Sequence, residues 1–408
     1  MSPSTSLVFP GRISLMRLPL DGVTVVAVEQ AVAAPFATRQ LADLGARVIK
    51  IERPDGGDFA RSYDATVKGL SSYFVWLNRS KQSLTLDLKQ PAARDVMARL
   101  IARADVFIEN LAPGAAGRLG LAADELHQRH SRLIACSVSG YGSSGPYAGK
   151  KAYDLLVQSE VGLISLTGTA AHPSKVGISV ADISAGMYAY SGILAALYAR
   201  ASSGRGALLE VSLFDALAEW MGAPAYYTAY GGTAPRRSGA HHASIAPYGP
   251  YDTGDEKSVY FAIQNGREWT RFCALVLQQP SLADDERFRS NVDRVRHRQS
   301  LDEAIAAVFG KLTASDVLRR LDEADIANAR VGTIDDFVDH VQLRERDRWR
   351  EIDSPAGSLR ALLPPVTVAG VEPVMGAVPA LGEHTDAILS ELGFTADAIT
   401  AWRQEGTI

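Results

Sequence analysis

The sequence is poor in cysteine, with two among 408 residues, Cys136 and Cys273. Both lie in apolar settings, and two such thiols do not form the disulfide framework of a small secreted protein. We therefore predict buried free thiols and a cytoplasmic protein, since a reducing compartment keeps thiols free. Residues 1–17 also lack the continuous apolar stretch and small-residue cleavage site of a signal peptide, so we interpret them as a loose leader.

The sequence also lacks an excess of charge of either sign. Its net charge is −4 and its pI is about 6.1, so no strongly basic surface points to nucleic acid as a partner. No apolar run approaches the roughly 18 residues that cross a membrane, and we expect no membrane partner. Hydrophobic residues make up 47% and charged residues 22%, proportions that are ordinary for a soluble globular enzyme.

Strand and helix patterns alternate along the chain. Residues 23–29 form a buried-strand pattern, 35–44 predict a helix and 46–52 predict the next strand. The same alternation gives further strands at 83–88, 105–110, 132–139 and 207–211, and helices at 91–104 and 213–221. We therefore predict an α/β fold with a doubly wound parallel sheet.

The composition changes at Ala223, after which Pro, Gly, Tyr, Arg and His are frequent up to Thr253. We place a domain boundary there. The predicted large domain contains residues 1–222 and 331–408, and the predicted small domain contains residues 223–330. Helical patterns at 269–277 and 300–312 lie in the small domain, and 385–392 is the last predicted helix.

Two segments bear on a dinucleotide-binding function. The turn after the first strand, residues 30–35, contains no glycine and so lacks the dinucleotide fingerprint. Residues 140–145 have the spacing G-x-G-x-x-G directly after a strand, but Pro146 and the residues after it cannot open the helix that pyrophosphate binding requires. We interpret 140–145 as a flexible glycine loop near an active site.

The stretch 175–206 organises the rest of the chain. It predicts a short apolar strand, a single acid at Asp182 and a helix that ends at Gly204. Asp182 at the junction has two interpretations, an N-cap of the helix or a carboxylate nucleophile, and its position alone leaves both open. Small residues at helical spacing predict a face on which another backbone packs closely. They are Gly186, Ala189, Gly192, Ala195, Ala196 and Ala199.

Five segments, taken together and in order, resemble the family III CoA-transferases of the formyl-CoA transferase and carnitine CoA-transferase type. They are residues 20–22, 44–53, 104–110 with Pro113 and Gly114, the stretch around Asp182, and 381–385. The resemblance spans residues 20–392. It implies a Rossmann-like large domain built from both termini, a smaller α+β domain and an interlocked homodimer. It also implies transfer of CoA from an acyl-CoA, such as succinyl-CoA, to a carboxylic acid.

The resemblance also implies the site. Asp182 falls where the family places its nucleophile, which forms an aspartyl-acyl anhydride and then an aspartyl-CoA thioester. The CoA thioester is a substrate, and neither a metal nor a permanently bound cofactor is required. The cations of the implied CoA site suit phosphate groups or are solvated surface charges. The implied CoA-site residues are Val32, Ala33, Arg53, Leu86, Asn110, Leu111, Arg118, Lys151 and Asp154.

Two departures from the family pattern bear on the substrate. Gln82 stands where an arginine is frequent, which weakens a phosphate role there. Residues 239–249 replace the glycine run of the formyl-CoA transferases, which disfavours oxalate and formyl-CoA. A cationic cluster in this region either faces the substrate, favouring a small dicarboxylate such as itaconate or mesaconate, or is a polar linker. The substrate candidates are Tyr153, Arg236, Arg237, His241 and His242.

Two alternative functions remain open. One is a 2-methylacyl-CoA racemase of the same fold, whose resembling segment carries His-Asp where this chain has Tyr153 and Asp154. Loss of that histidine removes one of the two bases that racemisation needs. The other is a non-catalytic CoA-binding subunit, which the intact stretch around Asp182 argues against.

Overall fold

A computed structural model describes residues 17–408, so the predicted leader lies, apart from Arg17, outside the described residues. The strands are β1 (Thr24–Val28), β2 (Arg47–Glu52), β3 (Lys81–Thr85), β4 (Val106–Glu109), β5 (Ile134–Ser139), β6 (Leu208–Ser212), β7 (Tyr248–Asp252), β8 (Ser258–Ala262), β9 (Asn328–Arg330), β10 (Trp349–Ile352) and β11 (Leu359–Leu362). The α-helices are α1 (Ala33–Asp43), α2 (Ser72–Asn78), α3 (Pro91–Arg103), α4 (Ala115–Arg118), α5 (Ala123–Arg129), α6 (Asp154–Glu160), α7 (Leu163–Leu166), α8 (Val180–Ser203), α9 (Leu213–Trp220), α10 (Gly222–Gly231), α11 (Gly266–Arg271), α12 (Asn291–Arg296), α13 (Arg298–Phe309), α14 (Ala314–Glu323), α15 (Ile334–Val338), α16 (Val341–Glu345), α17 (Thr385–Glu391) and α18 (Ala396–Gln404). Short 3-10 turns at Phe59–Ser62 and Pro280–Ala283 and a π-helical turn at Phe272–Val276 complete the described helical structure.

Six parallel strands form the main sheet in the order β3-β2-β1-β4-β5-β6. The order reverses between β1 and β4, and in open sheets of this kind ligands bind at the carboxyl ends of the strands beside that reversal. The predicted α/β fold with a parallel sheet is therefore confirmed. It was predictable because strands buried on both faces consist of nearly continuous apolar runs.

Helices cover both faces of this sheet. On one face Val26, Ile49 and Phe107 belong to a core that includes buried side chains of α3, α5, α17 and α18. Side chains alternate across a strand, and Val25 and Val48, which point to the opposite face, are buried as well. The helices α1 and α8 pack on β1, β2, β5 and β6.

Helix α8 begins at Val180 and ends at Ser203, and Gly204, in a left-handed conformation (φ 71°), caps it where the sequence predicts the stop. The predicted strand before Asp182 is wrong, because residues 175–179 are not in a strand. The pattern of apolar residues there was short, and the sheet position beside β5 is taken by β6. A strand needs a paired neighbour, which a local pattern cannot supply.

By length and composition α8, with 24 residues, is apolar enough to cross a membrane. The expectation that no apolar run approaches that length is therefore wrong. A core helix meets the same criterion, and α8 packs against α1, α9, β5 and β6. Its alanines Ala181, Ala185 and Ala189 are fully buried.

The small-residue face of α8 allows the close approach that the sequence predicts. A Cβ atom added at Gly186 would lie 2.6 Å from the carbonyl oxygen of Ala33 and 3.0 Å from the Phe36 ring. At Gly192, two turns further on, the nearest atom is Leu209 Cδ1 at 3.7 Å, an ordinary contact. Only the first of these glycines is required by packing.

We expect opposite effects from alanine at these two positions. Gly186→Ala should destabilise the protein by about 1–3 kcal/mol, because the methyl group forces α1 and α8 apart. Gly192→Ala should stabilise it by up to about 1 kcal/mol, since alanine is the better helix former. The free energy of unfolding from urea denaturation measures both. Equal effects of the two substitutions would contradict the close approach.

Buried charged side chains on β2 and β3 and just after β1 form a network. The ammonium of Lys50 pairs with Asp58 (2.8 Å) and Glu29 (3.4 Å), and the ammonium of Lys81 pairs with Glu29 (2.6 Å). Burial lowers the pKa of Lys81 to about 8 despite the charge of Glu29. Burial by itself would raise the pKa of Glu52, but the hydrogen bond from Arg61, the charges of Lys50 and Arg61 and the bond from Ser83 together lower it to about 2. Removing one partner from such a network leaves a buried charge uncompensated.

Residues 382–385 form hydrogen bonds to β3, the edge strand of the main sheet. Gly382 N–H donates to Ser83 Oγ (2.9 Å), His384 N–H donates to Ser83 O (3.0 Å), and Thr85 N–H donates to Thr385 Oγ1 (3.0 Å). This explains why residues from both chain ends form one body. The prediction that 385–392 is the last helix is wrong, because α18 follows it, with Thr395 as N-cap accepting from Ala398 N–H.

The described contacts divide the chain into two compact units. Of the described residues, unit 1 contains 17–161, 178–220 and 346–408, and with them the main sheet. Unit 2 contains 162–177 and 221–345. Unit 2 has an antiparallel sheet in the order β7-β8-β9 and a core that includes Phe261, Trp269 and Phe309. These limits differ from the predicted domain limits by assigning 162–177, 221–222 and 331–345 to the second unit.

Candidate active site

The turn after β1 is held in place by two side chains from neighbouring strands. The amide of Asn110, just after β4, accepts from Gln30 N–H (2.8 Å) and donates to Gln30 O (2.8 Å). Asp58 accepts from Ala31 N–H (3.0 Å), and Ala31 has a left-handed φ of 61°. These bonds fix the backbone that leads into Val32 and Ala33, which are both buried. Asn110 thus positions the predicted turn through its main chain.

A cleft of about 380 Å³ opens at the carboxyl ends of β1, β2 and β3. It brings together three predicted CoA-site residues, Arg53, Leu86 and Leu111. The guanidinium of Arg53 is exposed and donates to Gly57 O (Nη2, 3.2 Å). Apolar side chains, five acidic ones and two cations, Arg53 and Lys89, line the cleft. It lies at the edge where open parallel α/β sheets bind their ligands.

Two other predicted cations lie elsewhere in unit 1. Arg118 lines a second cavity, which shares Leu88 and Leu119 with the cleft. Lys151 is exposed between the glycine loop and α6. Neither makes a side-chain hydrogen bond or ion pair to any other residue in 17–408. The guanidinium of Arg118 and the ammonium of Lys151 are therefore available to an anion.

Asp182 is the third residue of α8, and its half-buried carboxylate accepts no hydrogen bond within the described part of the chain. The helix N-terminus is instead capped from outside. Asp154 Oδ1 accepts from Ala181 N–H (2.8 Å), and Asp154 Oδ2 accepts from Gln158 Nε2 (2.8 Å). The N-cap interpretation of Asp182 is therefore wrong, since another carboxylate takes that position.

The electrostatic environment of Asp182 favours its neutral form. Burial, followed by the negative charge of Asp154, raises the pKa of Asp182 from 3.8 to about 7. Asp182 and Gly186 are one turn apart and share a face of α8, and Gly186 contacts Ala33 and Phe36. Asp182 therefore lies on the face of α8 that packs against the first turn of α1.

Two phenols belong to the same neighbourhood. Partial burial, with the charges of Asp58 and Asp182, raises the pKa of Tyr63 to about 12. Tyr153, a predicted substrate residue, is 65% exposed and directly precedes α6. Sequence reasoning missed Tyr63 and the capping role of Asp154. An acid at the start of a helix 28 positions before Asp182 was visible, but its partner was not.

The glycine loop 140–145 does not open a helix, since the next helix, α6, begins at Asp154. This agrees with the rejection of a dinucleotide site. A Cβ at Gly140 would lie 2.2 Å from Ala152 Cβ, so only glycine fits there. Glu210 accepts from Ser143 N–H and from Ser143 Oγ (2.8 Å), which anchors the loop to the middle of β6.

The predicted cationic cluster lies in unit 2 and is held largely by its own unit. Arg237 donates to the carbonyl oxygens of Thr169 (2.8 Å) and Ala170 (3.0 Å). His241 packs edge-on against Tyr251 and His242 stacks on Tyr248, with ring centroids 5.3 and 5.2 Å apart. Arg236 is exposed, and its guanidinium makes no hydrogen bond or ion pair to another described residue.

Within residues 17–408, no group of three or more His, Cys, Asp or Glu side chains is placed so that it could hold a metal ion. The two cysteines are buried. Burial raises the pKa of each thiol to about 12, Cys136 also lying near Glu109. Neither thiol is poised as a nucleophile.

Unit 1 thus contains a half-buried carboxylate in the first turn of α8 and, at the carboxyl edge of its parallel sheet, a cleft of about 380 Å³. Residues 20–385 match the family model described as CoA-transferase family III. The chain belongs to CoA-transferase family III and is a CoA-transferase. The predicted family is therefore confirmed.

Three curated relatives agree with this assignment. An acyl-CoA transferase of Fusarium pseudograminearum is 33% identical over 95% of this chain and 88% of the relative. The succinyl-CoA:glutarate CoA-transferase of Mus musculus is 31% identical over 92% and 86%. The succinyl-CoA–D-citramalate CoA-transferase of Chloroflexus aurantiacus is 31% identical over 93% and 95%.

Among solved structures, a CAIB/BAIF family protein from Brucella suis is similar to this chain with a TM-score of 0.80. It is 33% identical and the match covers 92% of this chain and all of that chain. The fold is therefore shared with this family over nearly the whole length.

Proposed function

We propose that the enzyme transfers CoA from an acyl-CoA, with succinyl-CoA as first candidate, to a small dicarboxylate such as itaconate or mesaconate, with Asp182 as nucleophile. The observation that carries this proposal is the carboxylate of Asp182, which is half-buried and accepts no hydrogen bond from residues 17–408, while Asp154 caps the helix. A carboxylate used for structure would be engaged by hydrogen bonds. The relatives named for glutarate and D-citramalate support a dicarboxylate acceptor.

The proposed reaction proceeds through covalent intermediates on Asp182. Its carboxylate attacks the thioester carbonyl, the CoA thiolate leaves, and a mixed anhydride forms. The thiolate then attacks the aspartyl carbonyl, releasing the donor acid and leaving an aspartyl-CoA thioester. The acceptor carboxylate repeats both steps in reverse order and regenerates Asp182. One carboxylate replaces another on the same thiol, so the exchange is close to thermoneutral and consumes no proton overall.

The cleft at the carboxyl edge supports the proposed CoA site. Arg53 and Leu86 line it, and we propose that the exposed guanidinium binds a phosphate group of CoA. Arg118 and Lys151 extend the proposed set of cations, and Val32 and Ala33 offer main-chain groups of the fixed turn. Asp154 is proposed to act indirectly, because it accepts from Ala181 N–H and so holds the N-terminus of α8 in place.

The predicted substrate residues of unit 2 are proposed, by themselves, to bind the acceptor acid. In the cationic cluster Arg236 is the candidate for the distal carboxylate, because Arg237 is already bound by backbone carbonyls. His241, His242 and Arg237 would shape the site around it. Tyr153 offers an exposed hydroxyl donor.

The experiment that tests this function is a mass-spectrometric exchange assay. Purified enzyme is incubated with succinyl-CoA and a panel containing itaconate, mesaconate, glutarate and monocarboxylates of matched length. We expect new CoA thioesters only with dicarboxylates. Exchange with none of the acids by a protein that still binds CoA would support a non-catalytic CoA-binding subunit instead.

We expect no racemase activity. A racemase removes and returns the proton beside the thioester with two bases, and Tyr153 stands where histidine would serve as one of them. In heavy water, without an acceptor acid, 2-methylacyl-CoA should gain no deuterium at that carbon. Deuterium uptake at a rate comparable to CoA exchange would make the enzyme a racemase.

We also propose that the protein forms an interlocked homodimer. Interlocked chains cannot separate without unfolding, so the dimer should persist at nanomolar concentration. Light scattering combined with dilution measures this. A folded monomer at low concentration would contradict the interlocked arrangement.

A further inference from the structure

The turn after β1 contains a backbone conformation that is unfavourable for the residue that adopts it. Ala31 has a φ of 61°, in the left-handed region that residues with a side chain seldom occupy. Such a residue persists only where its surroundings hold it, and residues of this kind cluster at active sites. The next residue, Val32, is the N-cap of α1, and α1 has no acidic residue in its first turn. The start of α1 is therefore placed by the turn itself.

The buried carboxylate of Asp58 holds this conformation. Asp58 is 2% exposed, and its Oδ1 atom accepts from Ala31 N–H (3.0 Å) and from Ala60 N–H (2.9 Å). Its Oδ2 atom accepts from the buried ammonium of Lys50 (2.8 Å). One oxygen serves the main chain and the other serves a buried cation, so the carboxylate cannot turn without losing one of them.

The first turn of α1 lies against the helix that carries the proposed nucleophile. A Cβ atom added at Gly186 of α8 would lie 2.6 Å from Ala33 O, and Asp182 is one turn before Gly186 on the same face. The phenol of Tyr63 lies near both carboxylates, since partial burial and then the charges of Asp58 and Asp182 raise its pKa to about 12. A shift of the turn would therefore move the backbone that packs beside Asp182.

We propose that Asp58 is a positioning residue for CoA transfer, which holds Ala31 in its left-handed conformation and so fixes the first turn of α1 beside Asp182. Asp58 acts through the main chain and not on the substrate. This inference rests on the proposed function, in which Asp182 is the nucleophile. Loss of the hold on the turn should lower kcat more than it raises KM, because it misplaces reacting groups and removes no binding contact.

The first test is the variant Asp58→Asn. The amide has one acceptor oxygen, which cannot serve both Lys50 and the N–H groups of the turn. An unpaired buried ammonium is the costlier loss, so the oxygen should turn to Lys50 and release Ala31. We expect kcat to fall by roughly 100-fold, the scale of a displacement of about 1 Å at the reacting groups, with KM nearly unchanged.

A second substitution shows whether the turn is the cause. Adding Ala31→Gly to Asp58→Asn should restore most of the lost kcat, because glycine adopts a positive φ without strain. Glycine at this position cannot replace the ion pair with Lys50. A purely structural role of that ion pair would therefore leave the double variant as slow as Asp58→Asn.

The matched control is Asp43→Asn. Asp43 is 1% exposed and pairs with Arg39 (2.7 Å) and Arg79 (2.8 Å) at the other end of α1. It resembles Asp58 in its burial and its ion pairs but makes no bond to the turn. Both single variants should have a lower free energy of unfolding than the wild type, whereas Asp43→Asn should keep a kcat near that of the wild type.

The variant Ala31→Val keeps the test valid if Asp58→Asn does not fold, since it leaves every side chain of the buried network in place. A β-branched residue strongly disfavours a positive φ, so this variant should also lose kcat. Amide hydrogen exchange adds a readout that needs no activity. In either variant of the turn, exchange should become faster in residues 30–36 and 180–184, and in Asp43→Asn it should not.

The outcomes separate this proposal from the proposed function. A folded Asp58→Asn protein with the wild-type kcat overturns the positioning role, and so does unchanged hydrogen exchange at the turn or a loss of kcat that Ala31→Gly does not repair. If Asp182→Asn is inactive while Asp58→Asn is fully active, only the positioning role fails. If Asp182→Asn retains exchange of CoA, the nucleophile assignment fails and the positioning role fails with it.

Discussion

Asp182→Asn is expected to abolish CoA exchange, by at least about 10⁴-fold in kcat, the scale seen when a covalent nucleophile is lost. Asparagine keeps the size of the side chain but cannot form the anhydride. Asp182 has no hydrogen-bond partner to lose among the described residues, so the structural consequence should be small. The measurement is the initial rate of thioester formation from succinyl-CoA. Incubation of the wild type with donor and hydroxylamine should give a hydroxamate at Asp182, detected by mass spectrometry.

Asp215→Asn is the matched control. Asp215 is the third residue of α9, as Asp182 is of α8, but it is bound by Ser212 Oγ (2.7 Å) in a local cap. Exchange by this variant should stay near the wild-type rate. A folded Asp182→Asn protein that still exchanges CoA at the wild-type rate would falsify the nucleophile assignment.

The stability of Asp182→Asn provides a second check. The pKa of Asp182 is raised in the folded state, so ionisation opposes folding, an effect absent below pH 3.8 and growing up to about pH 7. Asparagine avoids this cost. At pH 8 the variant should therefore unfold with a free energy higher than wild type by on the order of 2 kcal/mol, a figure reduced for partial exposure. The gain should shrink as the pH falls towards 4.

The pH dependence of kcat/KM is the second large expected effect. The nucleophile must be ionised, and its pKa is about 7. The rate should therefore rise about tenfold per pH unit below that value and level off above it, so that activity at pH 5 is roughly 100-fold below the plateau. The profile should be measured at constant ionic strength, with stability checked at each pH.

Asp154→Asn tests the cause of that profile. Asparagine retains an oxygen that can accept from Ala181 N–H but removes the negative charge. The midpoint should move to lower pH, while burial, the larger cause, keeps it above the ordinary value of 3.8. A profile that is flat from pH 5 to 8 in the wild type would show that Asp182 is not the group that limits the rate.

The sheet was predictable because its signal is local. Apolar runs in β1, β2, β4 and β5 lie within one or two residues of the predicted strands, since burial on both faces demands such runs. The strand predicted before α8 was wrong, because its pattern had no free edge with which to pair. The last helix was missed although Thr395 is a regular N-cap residue.

The candidate site, like the fold, was predictable only in part. The identity of Asp182 as a candidate came from the sequence, and its place on the small-residue face of α8 followed from helical spacing. The sequence did not show that Asp182 accepts no hydrogen bond from the other described residues. That depends on Asp154, which is far away in sequence and reaches Ala181 only in the folded chain. The roles of Asn110 and Asp58 in holding the turn after β1 were hidden for the same reason.

The sequence by itself determined the family, the parallel α/β fold and the candidate nucleophile, because apolar periodicity, small-residue spacing and ordered motifs are properties of neighbouring residues. Only the tertiary structure decided which carboxylate caps α8 and which stays free. It alone brought Arg53, Leu86 and Leu111 to one cleft and residues 382–385 to the edge of β3. The physical reason is that burial, and with it the pKa of Asp182, is set by long-range packing, which no local pattern records.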